Sequence, residues 1–163
     1  MQIKSRNMLS KKDKKILKEN LVEWYGEEAL SSFEINFALE EVKTDEGNYL
    51  VKEGKIWFFE YEEKKIPSLH FLRENQVKLP KIIVDTGAIR FITNGADVMA
   101  PGIVYFEPNL AKDRIVSIHE ETADSLLGIG ITLVDSKEFE KTKQGKVVKT
   151  IHHLKDNIWK FQI

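Results

Sequence analysis

Ile82-Ile83-Val84-Asp85-Thr86-Gly87-Ala88-Ile89-Arg90-Phe91-Ile92-Thr93-Asn94-Gly95-Ala96-Asp97-Val98-Met99-Ala100-Pro101-Gly102 is the stretch that decides how this chain folds. Its first three residues give a brief buried-strand signal, and either Asp85 or Thr86 is placed to cap a helix directly behind it. Within that helix Ala88, Phe91 and Ile92 fall on one face, and Arg90, Thr93 and Asn94 on another, by the i, i+3, i+4 rule. Gly95 is a natural C-cap. The loop from Asn94 to Gly102 carries glycines that let backbone amides approach a partner closely, which suits phosphate or sugar contact. The alternative is a turn that folding alone demands.

Working outward, residues 103–106, 114–119, 126–134, 147–154 and 158–163 read as strands, with Asp156-Asn157 as a hairpin turn. Short strands with little helix predict a small closed barrel, and closure would remove sheet edges. Upstream, Leu79-Pro80 breaks the chain, because regular structure does not run through that proline, and sets domains of 1–79 and 80–163. In the first, Ser10 and Asp13 start a helix whose apolar residues Ile16, Leu17, Leu21, Trp24 and Tyr25 recur until Gly26. A second short helix over about 27–33 and a strand through Ile35, Phe37 and Leu39 are predicted next. A β-meander through 49–51 and 56–59 follows, then a short helix over 68–74. The fold class is α+β: a small N-terminal α/β-meander domain followed by a C-terminal β pseudobarrel.

Composition limits the partners. The 163 residues carry 25 Lys and Arg against 26 Asp and Glu, a net charge of -1, so the whole-molecule field does not draw polyanions and any nucleic-acid site is a local patch. Charge is uneven: residues 1–18 hold seven basic and one acidic side chain, residues 19–46 one basic and nine acidic, and residues 137–163 seven Lys against three acids. The C-terminal stretch is therefore a candidate anion-facing patch, set against the plainer reading of a solvated face. With no Cys, disulfides, thiolate catalysis and Cys-type zinc sites are excluded, in keeping with a reducing cytoplasm. The longest apolar run, 126–134, is half a membrane span, so no membrane segment is expected.

Catalytic signals are thin. Val84-Asp85-Thr86-Gly87-Ala88 looks like the active-site loop of retroviral-type aspartic proteases, and Leu127-Gly128-Ile129-Gly130 mimics a later element of those enzymes. The helical periodicity over 88–94 argues against the extended continuation such a loop needs. His152 and His153 are adjacent and on a strand point to opposite faces, so they cannot share a metal without distortion. No third well-spaced ligand, nucleophile elbow or phosphate-binding glycine loop occurs. Neither a cofactor nor a metal is expected, and no enzyme activity.

The string Val84 to Phe91, followed by Asn94 to Ile103, resembles the opening of a PUA domain, the RNA-binding pseudobarrel named for pseudouridine synthases and archaeosine transglycosylases. Thr150-Ile151-His152-His153-Leu154-Lys155-Asp156-Asn157-Ile158-Trp159-Lys160-Phe161 looks like the end of one branch, the malignant T-cell-amplified sequence family and its archaeal relatives. Ile66-Pro67-Ser68-Leu69-His70-Phe71-Leu72, joined through Leu79-Pro80, is similar to that branch's N-terminal domain. The N-terminal segment and the lack of Cys depart from eukaryotic members and point to the archaeal branch.

This resemblance implies a non-enzymatic, cytoplasmic RNA-binding protein of translation. Its partners would be tRNA or rRNA, the small ribosomal subunit and a protein with an initiation-factor-like SUI domain, with DNA not expected. It also implies a site of Arg90, Asn94, Gly95, Ala96, Asp97, Val98, Met99, Pro101 and Gly102, joined by Lys149, His152 and Lys155. Arg90, Lys149 and Lys155 would neutralise phosphates while the glycine-rich backbone fits the sugar-phosphate surface. Asp97 is an anion in such a site and would either accept a nucleobase or 2′-OH hydrogen bond or cap the loop. With about 3 to 5 phosphate contacts the salt slope would be only about -2 to -4. The alternatives are a protein-interaction module with a structural barrel, and, remotely, the protease.

Overall fold

The first strand carries almost no hydrophobic signal. In the computed structural model, which describes residues 1–30 and 33–163, β1 (Ile3–Met8) is exposed along most of its length, with Met8 62% accessible. It is held by pairing with β2 and by Arg6, whose Nε and Nη2 donate to the two carboxylate oxygens of Glu40 at 2.9 Å each. The predicted helix follows as α1 (Lys11–Tyr25): Ser10 Oγ accepts from Asp13 N at 3.0 Å, and Gly26 N donates to Val22 O at 2.8 Å. The second predicted helix is only a 3-10 turn, Glu28–Leu30, and Ser31 and Ser32 lie outside the described residues.

The alternation at Ile35, Phe37 and Leu39 does not make a strand. This stretch is irregular, and its neighbours serve the core: Phe33 and Leu39 are buried and Phe37 meets Trp57 edge-on at 4.9 Å. Aromatic packing rather than a ladder placed the apolar residues there. β2 (Glu40–Thr44), β3 (Asn48–Lys52), β4 (Lys55–Tyr61) and β5 (Lys64–Pro67) then form the meander, giving an antiparallel sheet in the order β1-β2-β3-β4-β5. The β3–β4 turn has positive φ at both Glu53 and Gly54, the primed geometry that matches strand twist. α2 (Leu69–Glu74) starts at buried Ser68, whose Oγ accepts from Phe71 N at 3.2 Å and donates to Ile56 O at 2.7 Å.

The second sheet is assembled from β6 (Lys81–Val84), β7 (Val98–Met99), β8 (Ile103–Phe106), β9 (Ile115–Glu120), β10 (Leu126–Thr132) and β11 (Lys146–His153). Their order is β7-β11-β10-β9-β6-β8, with β6 and β9 parallel and the other pairs antiparallel. The edge strands β7 and β8 are separated in sequence only by the 3-10 turn Ala100–Gly102, so the sheet has to curl until its edges meet. That closure is the pseudobarrel, filled by Ile82, Val84, Val116, Ile118, Leu127 and Val148. Gly130 is where it is tightest: a Cβ there would lie 2.4 Å from Val148 Cγ1 and 2.9 Å from Lys149 O. At the β9–β10 tip, buried Glu120 accepts from Thr122 N (2.7 Å), Thr122 Oγ1, Ala123 N (2.8 Å) and Ser125 N (3.1 Å). These donors hold its carboxyl down at about 2.

The helix after β6 begins as a 3-10 turn, Thr86–Ala88, and continues as α3 (Ile89–Ile92), only four residues long. Ile92 faces the core, but Phe91, predicted on the same face, is 53% accessible. α4 (Ser136–Thr142) was not anticipated; Asp135 caps it by accepting from Glu138 N at 2.8 Å. The expected strand over 158–163 is instead a short helix, α5 (Asn157–Lys160), and Asp156-Asn157 is its approach rather than a hairpin turn. The chain divides into two compact units, Met1–Lys78 with Asn157–Ile163 and Leu79–Asp156, so the last seven residues group with the first unit. There Ile163 N donates to Gly54 O at 3.1 Å and His70 stacks on Trp159 at 4.2 Å. No helix among the described residues is long and apolar enough to cross a membrane.

Candidate nucleic-acid interface

The decisive stretch folds around its own backbone donors. Asp85 Oδ1 accepts from Ala88 N at 3.0 Å, and Asp85 N donates to Gly102 O at 2.9 Å, tying the helix start to the turn between the edge strands. At the other end Gly95 N donates to Ile92 O (3.0 Å) and Ala96 N to Phe91 O (2.9 Å), the paired bonds of a Schellman C-cap. Gly95 has φ 91°, a left-handed conformation that favours glycine, and a Cβ on it would press on His153 Nε2 at 3.0 Å.

Between α3, β7 and that turn lies a groove of about 670 Å³. Of the residues proposed from sequence, Gly95, Ala96, Asp97, Val98, Met99 and Gly102 line it. Arg90, Asn94 and Pro101 are exposed on the same helix and loops but do not form its wall, and Lys149 and Lys155 are exposed on and just beyond β11. His152 is a correction: it is fully buried, with Nδ1 2.7 Å from Asp156 Oδ2, because its parity on β11 points it inward. His153 has the other parity. Its Nδ1 donates to Leu154 O at 2.8 Å, and its Nε2 lies beside Gly95.

Sequence reasoning did not single out Phe91 or Lys146 for the site, and both line the groove. Phe91 supplies an exposed ring with the Arg90 guanidinium 4.8 Å from its centroid. Lys146 was one of seven C-terminal lysines with nothing in its spacing to mark it; its pairing with Met99 in the β11–β7 ladder brings it to the rim. The anions in the wall are occupied. Asp85 is a cap, and Asp97 Oδ1 accepts from Thr150 N at 3.0 Å while Thr150 Oγ1 donates to Ala96 O at 2.8 Å. Asp97 Oδ2 stands 3.6 Å from Lys146 Nζ. The result is an apolar floor of Ala88, Phe91 and Met99, backbone-built walls, and cations at the edge. That arrangement suits a stacked base and an adjoining phosphate.

Enzyme-like clusters resolve into structural parts. Asp85-Thr86-Gly87 turns directly into helix, so the extended continuation of the protease loop is missing. Ser117 Oγ is 3.0 Å from His119 Nε2, and His119 Nδ1 is 3.3 Å from Asp124 Oδ1, but Ser117 is buried in β9 with its Oγ 3.4 Å from Pro80 O. Among the described residues no group of three or more His, Cys, Asp or Glu could hold a metal.

The PUA domain family matches residues 80–154, and the family described as Domain of unknown function (DUF1947) matches residues 5–75. An uncharacterized protein of Methanocaldococcus jannaschii is 34% identical over 162 residues, 99% of both chains. Translation machinery-associated protein 20 of Eremothecium gossypii is 35% identical over 115 residues, 67% of this chain and 64% of that protein. Malignant T-cell-amplified sequence 1 of Rattus norvegicus is 33% identical over 114 residues, 68% and 63% respectively. The match thus spans slightly less than two thirds of those eukaryotic relatives. Among solved structures, a hypothetical protein from the hyperthermophilic archaeon Pyrococcus horikoshii superposes with a TM-score of 0.79 at 31% identity, covering 95% of this chain and 98% of that one. With both family matches in chain order and an archaeal relative aligned end to end, the chain belongs to the PUA-domain proteins of the malignant T-cell-amplified sequence type.

Proposed function

We propose that this protein binds RNA in the translation apparatus without catalysing a reaction, and that its groove receives an RNA end. Phe91 stacks an unpaired base, the backbone around Gly87 and Gly95 lets the sugar-phosphate surface approach closely, and Lys146 and Arg90 meet phosphates. One observation carries this reading: the exposed Phe91 ring, the Gly95 turn and Lys146 border a single groove in a PUA barrel. The tRNA acceptor end is the first candidate ligand, engaged at the small ribosomal subunit in initiation or recycling, with a SUI-domain protein as partner. The names of the eukaryotic relatives, translation machinery-associated among them, support that setting.

Anisotropy titration with deacylated tRNA, intact or lacking its 3′-terminal nucleotides, tests it. The intact tRNA is expected to bind more tightly. Phe91→Ala should cost about 5- to 150-fold, the worth of one stacked base. Lys146→Glu should reduce the salt slope by about 1. Equal binding of both tRNAs, with neither variant impaired, overturns the reading.

A further inference from the structure

We infer that the basic face of α1 is a second contact for RNA, taking the phosphate ridge of a double-stranded segment. This rests on the RNA-binding reading above but concerns a different unit of the molecule. Lys11, Lys14, Lys15 and Lys18 recur at i, i+3, i+4 and i+7 and so share one side of the helix. They form one wall of a hollow of about 490 Å³ whose other wall is residues 34–36.

Two of these lysines are committed to the fold. Lys14 Nζ donates to Phe37 O at 3.1 Å, while Lys18 Nζ donates to Phe33 O and stands 3.9 Å from Glu34 Oε1. Lys11 and Lys15 are exposed and have no carboxylate partner among the described residues.

The arrangement works against the helix that carries it. Cations in the first turns oppose the helix dipole, and Lys11 with Lys15 and Lys14 with Lys18 are like-charge i, i+4 pairs. Asp13 is the only acid in the first turn. A local electrostatic conflict that the fold compensates only at Lys14 and Lys18 leaves Lys11 and Lys15 for a ligand, and the ligand that relieves their repulsion is a polyanion. The stripe is about 10 Å long at 1.5 Å per residue, enough for about three successive phosphates of one strand. RNA fits better than an anionic lipid surface. The hollow is concave, and Ile35, its one apolar wall residue, is half-buried, so nothing there is free to insert between acyl chains.

The test uses the full chain with three probes: a fully paired RNA hairpin, a single-stranded oligonucleotide ending in CCA, and phosphatidylserine vesicles, at 50 and 200 mM KCl. In Lys11→Glu/Lys15→Glu, hairpin affinity is expected to fall at least 10-fold at 50 mM and its salt slope to shrink by about 2, with oligonucleotide affinity changed less than 2-fold. Lys146→Glu should do the reverse. The variant should melt no lower than the parent, since the change relieves repulsion, and Lys11→Gln/Lys15→Gln should fall between the two in hairpin affinity. Hairpin binding unchanged in the folded variant overturns the inference and leaves the groove reading standing. A parent that binds the oligonucleotide but not the hairpin does the same, and binding lost only to vesicles assigns the face to lipid and overturns it. If the parent binds neither RNA, both readings fall.

Discussion

In the first unit β1 and β5 stand at opposite edges of a five-stranded sheet with three strands between them, and the sheet stays open. In the second, the edge strands β7 and β8 are neighbours in sequence across Ala100–Gly102, and the sheet curls into a nearly closed barrel. The open sheet guards its edges with charge, Arg6 on Glu40 at one side and Lys65 on Glu60 at the other. The closed one needs no such guard but has to thin its interior to glycine at Gly130. The difference extends to the surfaces each unit offers. The barrel groove is built from turns and caps, so its shape is fixed by backbone, whereas the α1 hollow is walled by long lysine side chains and offers charge with little shape.

The largest test of that contrast is Gly130→Ala. Because the added Cβ meets both a side chain and a backbone carbonyl, barrel stability is expected to drop by about 1–3 kcal/mol or more in urea unfolding followed by far-UV circular dichroism. Trp24, Trp57 and Trp159 all belong to the first unit, so tryptophan fluorescence reads that unit separately. A barrel that tolerates the alanine would not be closed as described. In the first unit, Ser68→Ala removes one side chain that bonds both Ile56 O and Phe71 N, and should cost about 1–2 kcal/mol, seen in the fluorescence transition.

Glu120 gives a pH dependence confined to acid. Its folded carboxyl titrates at about 2, below the ordinary carboxylate range, so its contribution is complete above that range and is lost as pH falls toward 2. Glu120→Gln should therefore melt below the parent near pH 6, with the gap closing between pH 5 and 2. A constant gap would mean the carboxylate charge is irrelevant there. Smallest is Asp97→Asn, which keeps an acceptor for Thr150 N but frees Lys146 from its anion. RNA affinity should rise about 2- to 5-fold. A loss instead would identify Asp97 as a direct acceptor for a base or 2′-OH.

The β6-α3-β7 stretch was legible because its caps are local: Asp85 and Gly95 signal their roles within a few residues. β1 was not, since a strand held by edge pairing and one arginine needs no apolar period. α4 left a trace in Asp135 and Glu138, the spacing of an N-cap, but its one large apolar residue, Phe139, gives no periodicity. Phe91 was misplaced because a helix of four residues is too short for its faces to be fixed by spacing. His152 came with the resemblance, and the sequence could not say which of His152 and His153 faces inward, because parity on β11 depends on its irregular register with β10, which shifts between Ile129 and Gly130. Half of the groove was therefore readable as backbone chemistry, and the side chains that give it an aromatic floor and a cation were not.

The barrel groove is proposed above as the seat of an unpaired RNA end, distinct from the basic face of α1. Amide chemical-shift mapping of the full chain against a single-stranded oligonucleotide ending in CCA tests it most directly. The expected result is perturbation at Gly87, Ala88, Phe91, Gly95, Ala96 and Met99. Shifts that leave those groove amides in place while others respond, or no response at all, would contradict it.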